Sequence, residues 1–371
     1  MRSSVPVLFL GWSLLACTGT GSTGEDTAQC DGASQVSTLA LTSDKNGSVD
    51  IPVSLGESDA AFMILTESRT GLVSTDGVVD AEGNVVVDWS DWADSKESLT
   101  NAFFATDEVS AFNWPIREED GTLSAGDWTV TASTLDSGGY PKARQDVDVT
   151  VIRRACLGST ATLPITIAYA GGLEDDAEVS AAVEAAAERW EEIYGALGIN
   201  IQVSWISVDI DGSLPEPLTG GGDYAAVYEA AGSTGVVVVV GDDVAGASDL
   251  YGEAGGIPGP LLASSHSVVA VSWLVHAGGN ARFDADEIEV FAETMAHEVG
   301  HYVGLYHPVE SGWSAWDAIG DTKRCTSGSA CESALGANLM FPYPVCGQEC
   351  LAQTELSEGQ VAVLLNNAGV Q

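Results

Sequence analysis

Three of the five histidines in this 371-residue chain fall within eleven residues, HEVGHYVGLYH, from His297 to His307. On a helix, residues four apart share a face, so His297 and His301 can offer two imidazoles to one metal ion. Glu298 stands beside the first and reaches toward a metal-bound water without itself being a ligand. Gly304 can adopt positive φ, which lets the backbone turn sharply and return His307 as a third ligand from outside the helix. Three neutral imidazoles with one open position describe a catalytic zinc site, not a closed structural one. The chemistry this predicts is hydrolysis: a zinc-activated water attacks a carbonyl polarised by the metal, with Glu298 as the general base.

The elements that must position these groups can be read around them. Asp284 and Glu287 make a capping-box signal for a helix starting near Asp284. Along that helix Ile288, Phe291, Met295, Val299, Tyr302 and Val303 cluster on one side, which leaves His297 and His301 nearly opposite and facing away from the core. Upstream, LPITIAY reads as a strand, and Val179, Val183, Trp190 and Leu197 mark a helix stopped by Gly198. INIQVSWISV alternates as a half-buried strand, and GVVVVVGDD has the all-apolar character of a buried central strand. The predicted unit over 157–371 is therefore α/β. Between 31 and 152, short β-rich runs such as VDIPVSL, NVVVDW and GDWTVTAS are separated by turn residues, predicting an antiparallel β-sandwich with no catalytic constellation. Arg153-Arg154 reads as a linker between the two domains, with a processing site as the alternative.

HEVGHYVGLYH matches the extended zinc motif of the metzincin metallopeptidases, His-Glu-x-x-His-x-x-Gly-x-x-His, and with WDAIGDTKRC and NLMFP the chain most resembles the pappalysin-type branch. The resemblance spans about Leu163 to the C-terminus. It implies a twisted mixed sheet with an active-site helix, a Met-turn beneath the zinc at Met340, and peptidase activity on protein or peptide substrates. LYGEAGGIPGP matches the branch's segment at the upper edge of the cleft, with Gly252, Ala254, Pro258 and Gly259 at the matching positions; by analogy that strand pairs with an extended substrate. ELSEGQ echoes a closing Thr/Ser-x-x-Gln segment. Lys323 and Gly320 depart from the branch's pattern in a loop linked with calcium, which leaves structural Ca2+ open beside the expected Zn2+. Tyr343 follows Met340 by three residues instead of two, so a role in steadying the transition state is also left open.

Composition bounds the remaining readings. With 13 Lys and Arg against 54 Asp and Glu, the net charge of -41 supplies no basic patch for nucleic acid or anionic lipid. The N-terminal MRSSVPVLFLGWSLLAC resembles a bacterial lipoprotein signal: a leader over 1–16, lipidation at Cys17, a polar tether over 17–30, and export to the outer membrane or cell surface, the membrane being met only through the lipid. Ordinary secretion is the alternative. The other six cysteines are expected to form disulfides, Cys30 with Cys156 and Cys325, Cys331, Cys346 and Cys350 among themselves; a cysteine zinc site fits their spacings poorly. Two other functions compete with the enzyme at this level. The metal site could be the vestige of a surface binding or scaffold protein, or the β domain could be a latency module over the cleft.

Overall fold

The computed structural model describes residues 34–105, 107–156, 161–232, 235–278, 282–347 and 350–371; the leader, the tether, Cys17 and Cys30 lie outside them. Strands β1 (Gln35–Thr42), β2 (Ser48–Leu55), β3 (Ala61–Ser68), β4 (Leu72–Val79), β5 (Val85–Asp88), the short β6 (Glu97–Ser98), β7 (Val109–Trp114), β8 (Gly126–Leu135) and β9 (Asp146–Arg154) come first. Eight of them make two antiparallel sheets, ordered β1-β9-β3-β7 and β2-β8-β4-β5. In β2 the buried residues are Val49, Ile51, Val53 and Leu55, the period-two pattern of a strand covered on one face. They share a core with Phe62 and Ile64 of β3 and Trp128 and Val130 of β8, and Phe62 meets Trp128 edge-on at 6.1 Å, so the sheets face each other. The continuous apolar run AFMIL in β3 follows from burial on both faces: Met63 and Leu65 pack on the other side with Ile152 and Ala368.

Arg153 and Arg154 are neither linker nor exposed processing site. Both end β9, whose pairing with β3 continues to Ala61↔Arg154. Arg154 is 1% exposed, and its Nη1 donates to Leu365 O at 2.6 Å and Asn367 O at 3.3 Å. The two stretches expected as separate domains thus meet within one compact unit from Gly32 to Gln371.

The second stretch runs β10 (Ala161–Tyr169), α1 (Ala177–Ala196), β11 (Ile199–Ser207), β12 (Ser213–Leu214), α2 (Tyr224–Ala231), β13 (Val236–Gly241), β14 (Asp243–Val244), β15 (Gly252–Ala254), β16 (Val269–Ser272), α3 (Trp273–His276), α4 (Ala285–Tyr302), β17 (Trp316–Asp317), α5 (Gly328–Leu335) and α6 (Glu358–Asn366). Its main sheet is ordered β11-β10-β13-β16-β15, parallel except for β15, which runs antiparallel to β16 at one edge. β12 pairs with β14, and β6 pairs with β17 across the two stretches. The five valines of β13 are explained by its central place: Val236, Val238 and Val240 join the core containing α1 and α4, whereas Val237 and Val239 join the cluster under α2. β11 is the opposite edge, so its alternation fades; Trp205 is 40% exposed and stacks on Tyr169 at 5.7 Å.

Disulfides join Cys325 to Cys331 and Cys346 to Cys350, so the four C-terminal cysteines pair among themselves. Cys156 is also disulfide-bonded; its expected partner, Cys30, lies outside the described residues. Among the described residues no helix is long and apolar enough to cross a membrane.

Candidate active site

α4 begins as its sequence dictates: the Asp284 carboxylate accepts the Glu287 N–H and the Glu287 carboxylate accepts the Asp284 N–H, each at 2.9 Å. Phe291, Met295, Val299 and Tyr302 are fully buried, and Tyr194 of α1 donates to Ala296 O at 2.8 Å, which fixes the helix's rotation. His297 and Glu298 are half-buried on the open side. His301 departs from the helical-wheel expectation. It is buried, because the chain folds back over it: Gly304 has φ 116°, and Leu305 N–H donates to Gly300 O at 2.9 Å. That reversal delivers His307.

The three imidazoles have one nitrogen each taken by the protein. His297 Nδ1 bonds Leu339 O at 2.7 Å, His301 Nδ1 bonds Leu305 O at 2.6 Å, and His307 Nδ1 bonds the Glu310 carboxylate at 2.9 Å. All three acceptors take a proton on Nδ1, which in a neutral ring leaves the lone pair on Nε2. The ligand nitrogens lie within 4.8 Å of one another, with His301 Nε2 and His307 Nε2 only 3.2 Å apart. Lone pairs facing one another at that range are accounted for by a cation they share, and an all-imidazole donor set with protein-fixed tautomers suits zinc. Burial, reinforced by the neighbouring His307, pulls His297 down to about 3, and burial also holds His301 well below its usual range, so both rings are neutral and ready to ligate. Among the described residues this is the one group of three or more His, Cys, Asp or Glu side chains gathered closely enough to hold a metal ion. In the loop that carries Gly320 and Lys323, the Asp321 carboxylate accepts hydrogen bonds from Ser357 Oγ at 2.8 Å and Gly359 N–H at 2.9 Å at the start of α6.

Beneath the histidines, Met340 is fully buried in the turn that supplies Leu339 O. The turn is tied to α6 by an amide pair: Asn338 Nδ2 donates to Gln360 Oε1 at 2.7 Å, while Asn338 Oδ1 accepts Met340 N–H at 2.9 Å. Ser357 and Gln360 form the α6 capping box, which gives the ELSEGQ echo a structural meaning.

A cleft of about 240 Å³ opens beside His297 and Glu298, lined among others by Tyr251, Gly252, Glu293, Thr294 and Tyr343. β15 forms its upper edge. The strand lies so close that a methyl group on Gly252 would sit 2.8 Å from Glu298 Cγ. Burial first, then the nearby Glu253, pushes Glu298 up to about 8, although the Ala254 N–H opposes the shift; a cation at the three nitrogens would favour the charged carboxylate. Gly252 and Ala254 stand on the edge strand, but Pro258 and Gly259 do not: they follow it, and Gly259 packs on Tyr302 of α4, its N–H donating to Tyr302 O at 2.8 Å. Tyr343 lines the cleft with its hydroxyl donated to Glu332 at 3.0 Å.

Sequence reasoning missed Glu310, Glu293 and the carbonyls of Leu339 and Leu305. Glu310 had a readable signal, an acid three residues after His307. The carbonyls had none, since every residue carries one.

No family model matches the chain, and no curated protein was found similar to it. Solved structures that match include an archaemetzincin from Methanopyrus kandleri, at 21% identity and TM-score 0.27 over 40% of this chain and 77% of that one. Another is metalloproteinase-II from Bacteroides fragilis, at 12% identity and TM-score 0.26 over 50% of this chain and 59% of that one.

Proposed function

We propose that the chain is a zinc-dependent endopeptidase of the metzincin type, most like the pappalysin-type branch. The observation that carries this reading is the convergence of ring nitrogens from His297, His301 and His307 within 4.8 Å of one another, with His297 and Glu298 lining an open cleft. His297, His301 and His307 hold the ion, and when bound it supplies Lewis acidity toward water and the scissile carbonyl. Glu298 takes the proton of the attacking water on its carboxylate and passes it to the departing amine. The open side of β15 aligns the substrate backbone, and the cleft beside His297 receives one side chain. The preceding strands are read as a β-sandwich, and the chain as an exported lipoprotein tethered through Cys17 at the outer membrane or cell surface.

Glu298→Gln keeps shape and metal ligands but removes the proton acceptor. The variant should fold, bind one zinc per chain, and lose on the order of 10²- to 10⁴-fold in kcat on a peptide library read by mass spectrometry. Undiminished cleavage rules out the general base; a zinc-loaded parent that cleaves nothing leaves the scaffold reading in its place.

A further inference from the structure

The edge strand does not stop at the cleft. Gly255 N–H bonds Val268 O and Tyr251 O accepts Ser272 N–H, so residues 251 and 255 turn their backbone groups toward β16. By alternation Gly252 and Ala254 turn theirs away from β16, where the Ala254 N–H meets the Glu298 carboxylate. Past Ala254, Gly255 and Gly256 run into a second, shallow groove of about 30 Å³ whose two walls come from distant parts of the chain. One wall carries Phe104, 52% exposed, from the segment before β7; the other carries Leu218, 46% exposed, from the loop before α2. Among the described residues few large apolar side chains are so exposed, and these two line one groove.

The groove is built, not accidental. His266, 4% exposed, ties its walls together: Nδ1 bonds Pro217 O, next to Leu218, at 2.8 Å, and Nε2 pairs with the Asp107 carboxylate, on the segment of Phe104, at 2.9 Å. Asn101 N–H donates to Ile257 O at 2.9 Å, seating that segment directly on the continuation of β15. Leu218 N–H donates to Glu253 of β15 itself at 3.0 Å. Both walls are therefore keyed to the strand that borders Glu298.

We infer that this groove is a remote substrate subsite, in which Phe104 and Leu218 grip an apolar side chain of an extended peptide lying along β15. The inference rests on the peptidase reading. Gly252 lies against Glu298, and Gly255 and Gly256 are three and four residues further along, about 10 to 13 Å at strand spacing. The gripped side chain is therefore three or four residues from the scissile bond, on the side away from the cleft beside His297. The β-rich region is by this account part of the substrate-binding surface and not merely a neighbour of the enzyme.

The test uses two peptides sharing one cleavage sequence: a short one confined to the residues flanking the bond, and a long one with leucine three and four residues beyond it, made in two forms extended at either end. Phe104→Ser with Leu218→Ser alters exposed side chains only. The double variant should cleave the short peptide at the parental rate and lose about tenfold in kcat/KM on one long form, mainly through KM. Binding of the fluorescent long peptide to Glu298→Gln protein, which needs no turnover, should weaken by a similar factor when the two serines are added. Equal effects on short and long peptides, or no effect on either long form, overturn the subsite while leaving the peptidase reading intact. A parent that neither cleaves nor binds any of the peptides removes both.

Discussion

Glu293 is a carboxylate the motif does not ask for. It is 5% exposed, lines the cleft, and accepts the Gln353 N–H at 2.7 Å. Burial, against the help of that hydrogen bond, pushes it up to about 7. A folded-state value above the unfolded one of about 4.5 means that the native state holds the proton more tightly. Its contribution to stability is complete below about pH 4.5 and is lost as pH rises through 7. Glu293→Gln keeps the acceptor without the charge, so the melting temperature of the variant should gain on the parent between pH 5 and 8. A difference that does not change with pH would show that the burial is relieved in another way. Gly252 makes a second argument of this kind, because its missing side chain is what lets β15 lie against Glu298. Gly252→Ala should keep the zinc and lose on the order of 10- to 100-fold in kcat/KM as the base is displaced; full activity in the variant would mean that the strand yields instead. HEVGHYVGLYH was legible because each of its residues has a distinct chemical type. Glu293 was not, since one more acid among 54 Asp and Glu carries no signal until the fold buries it.

At the scale of elements, the orientation of His297 depends on a turn, and the turn depends on α6. Leu339 O accepts the His297 Nδ1–H, and the Asn338–Gln360 amide pair holds the turn in place. Gln360→Ala should weaken zinc binding about 10- to 100-fold in chelator competition, the range seen when partners of metal-ligating histidines are lost. An unchanged affinity accompanied by a lower melting temperature would make the pair structural only. The helices and strands around the site were the readable part of the sequence. The caps at Asp284 and Ser357, the helical spacing of Val179, Val183 and Trp190, and the run of valines in β13 each declare themselves locally. The exposure of Trp205 and the burial of His301 were not readable, because each is decided by which element lies alongside: among the described residues no strand pairs beyond β11, and the returning chain lies over α4.

For the whole molecule, the β-rich region and the α/β region are joined by buried polar contacts at several points, and one of them titrates. Burial pulls His266 down, but the hydrogen bond and charge of Asp107 outweigh it, so its net shift is upward. The associated stability is present below the ordinary histidine range, near 6.5, and is lost as pH rises through the folded-state value. His266→Gln should therefore be destabilised relative to the parent more at pH 6 than at pH 9 in thermal melts. Equal losses at both would place the contribution in packing and in the Pro217 contact instead. Arg154 makes the complementary joint, a cation held by the Leu365 and Asn367 carbonyls. A linker was expected at that arginine pair because charge near a change of pattern reads as one. The pair itself is not a linker, because β9 continues through it and the C-terminal segment covers Arg154.

Phe341, Pro342, Tyr343 and Pro344 form one wall of the cleft between two fixed points, the buried Met340 before them and the Cys346–Cys350 bridge after them. Gln353 holds this span from behind, donating to Tyr343 O at 3.1 Å. The histidine ligands are anchored elsewhere, on Leu339, Leu305 and Glu310. Evolution, or a protein engineer, can thus exchange the half-buried Pro342 and Pro344 and retune which residue the cleft admits, while the buried Phe341 and the machinery that breaks the bond are inherited unchanged.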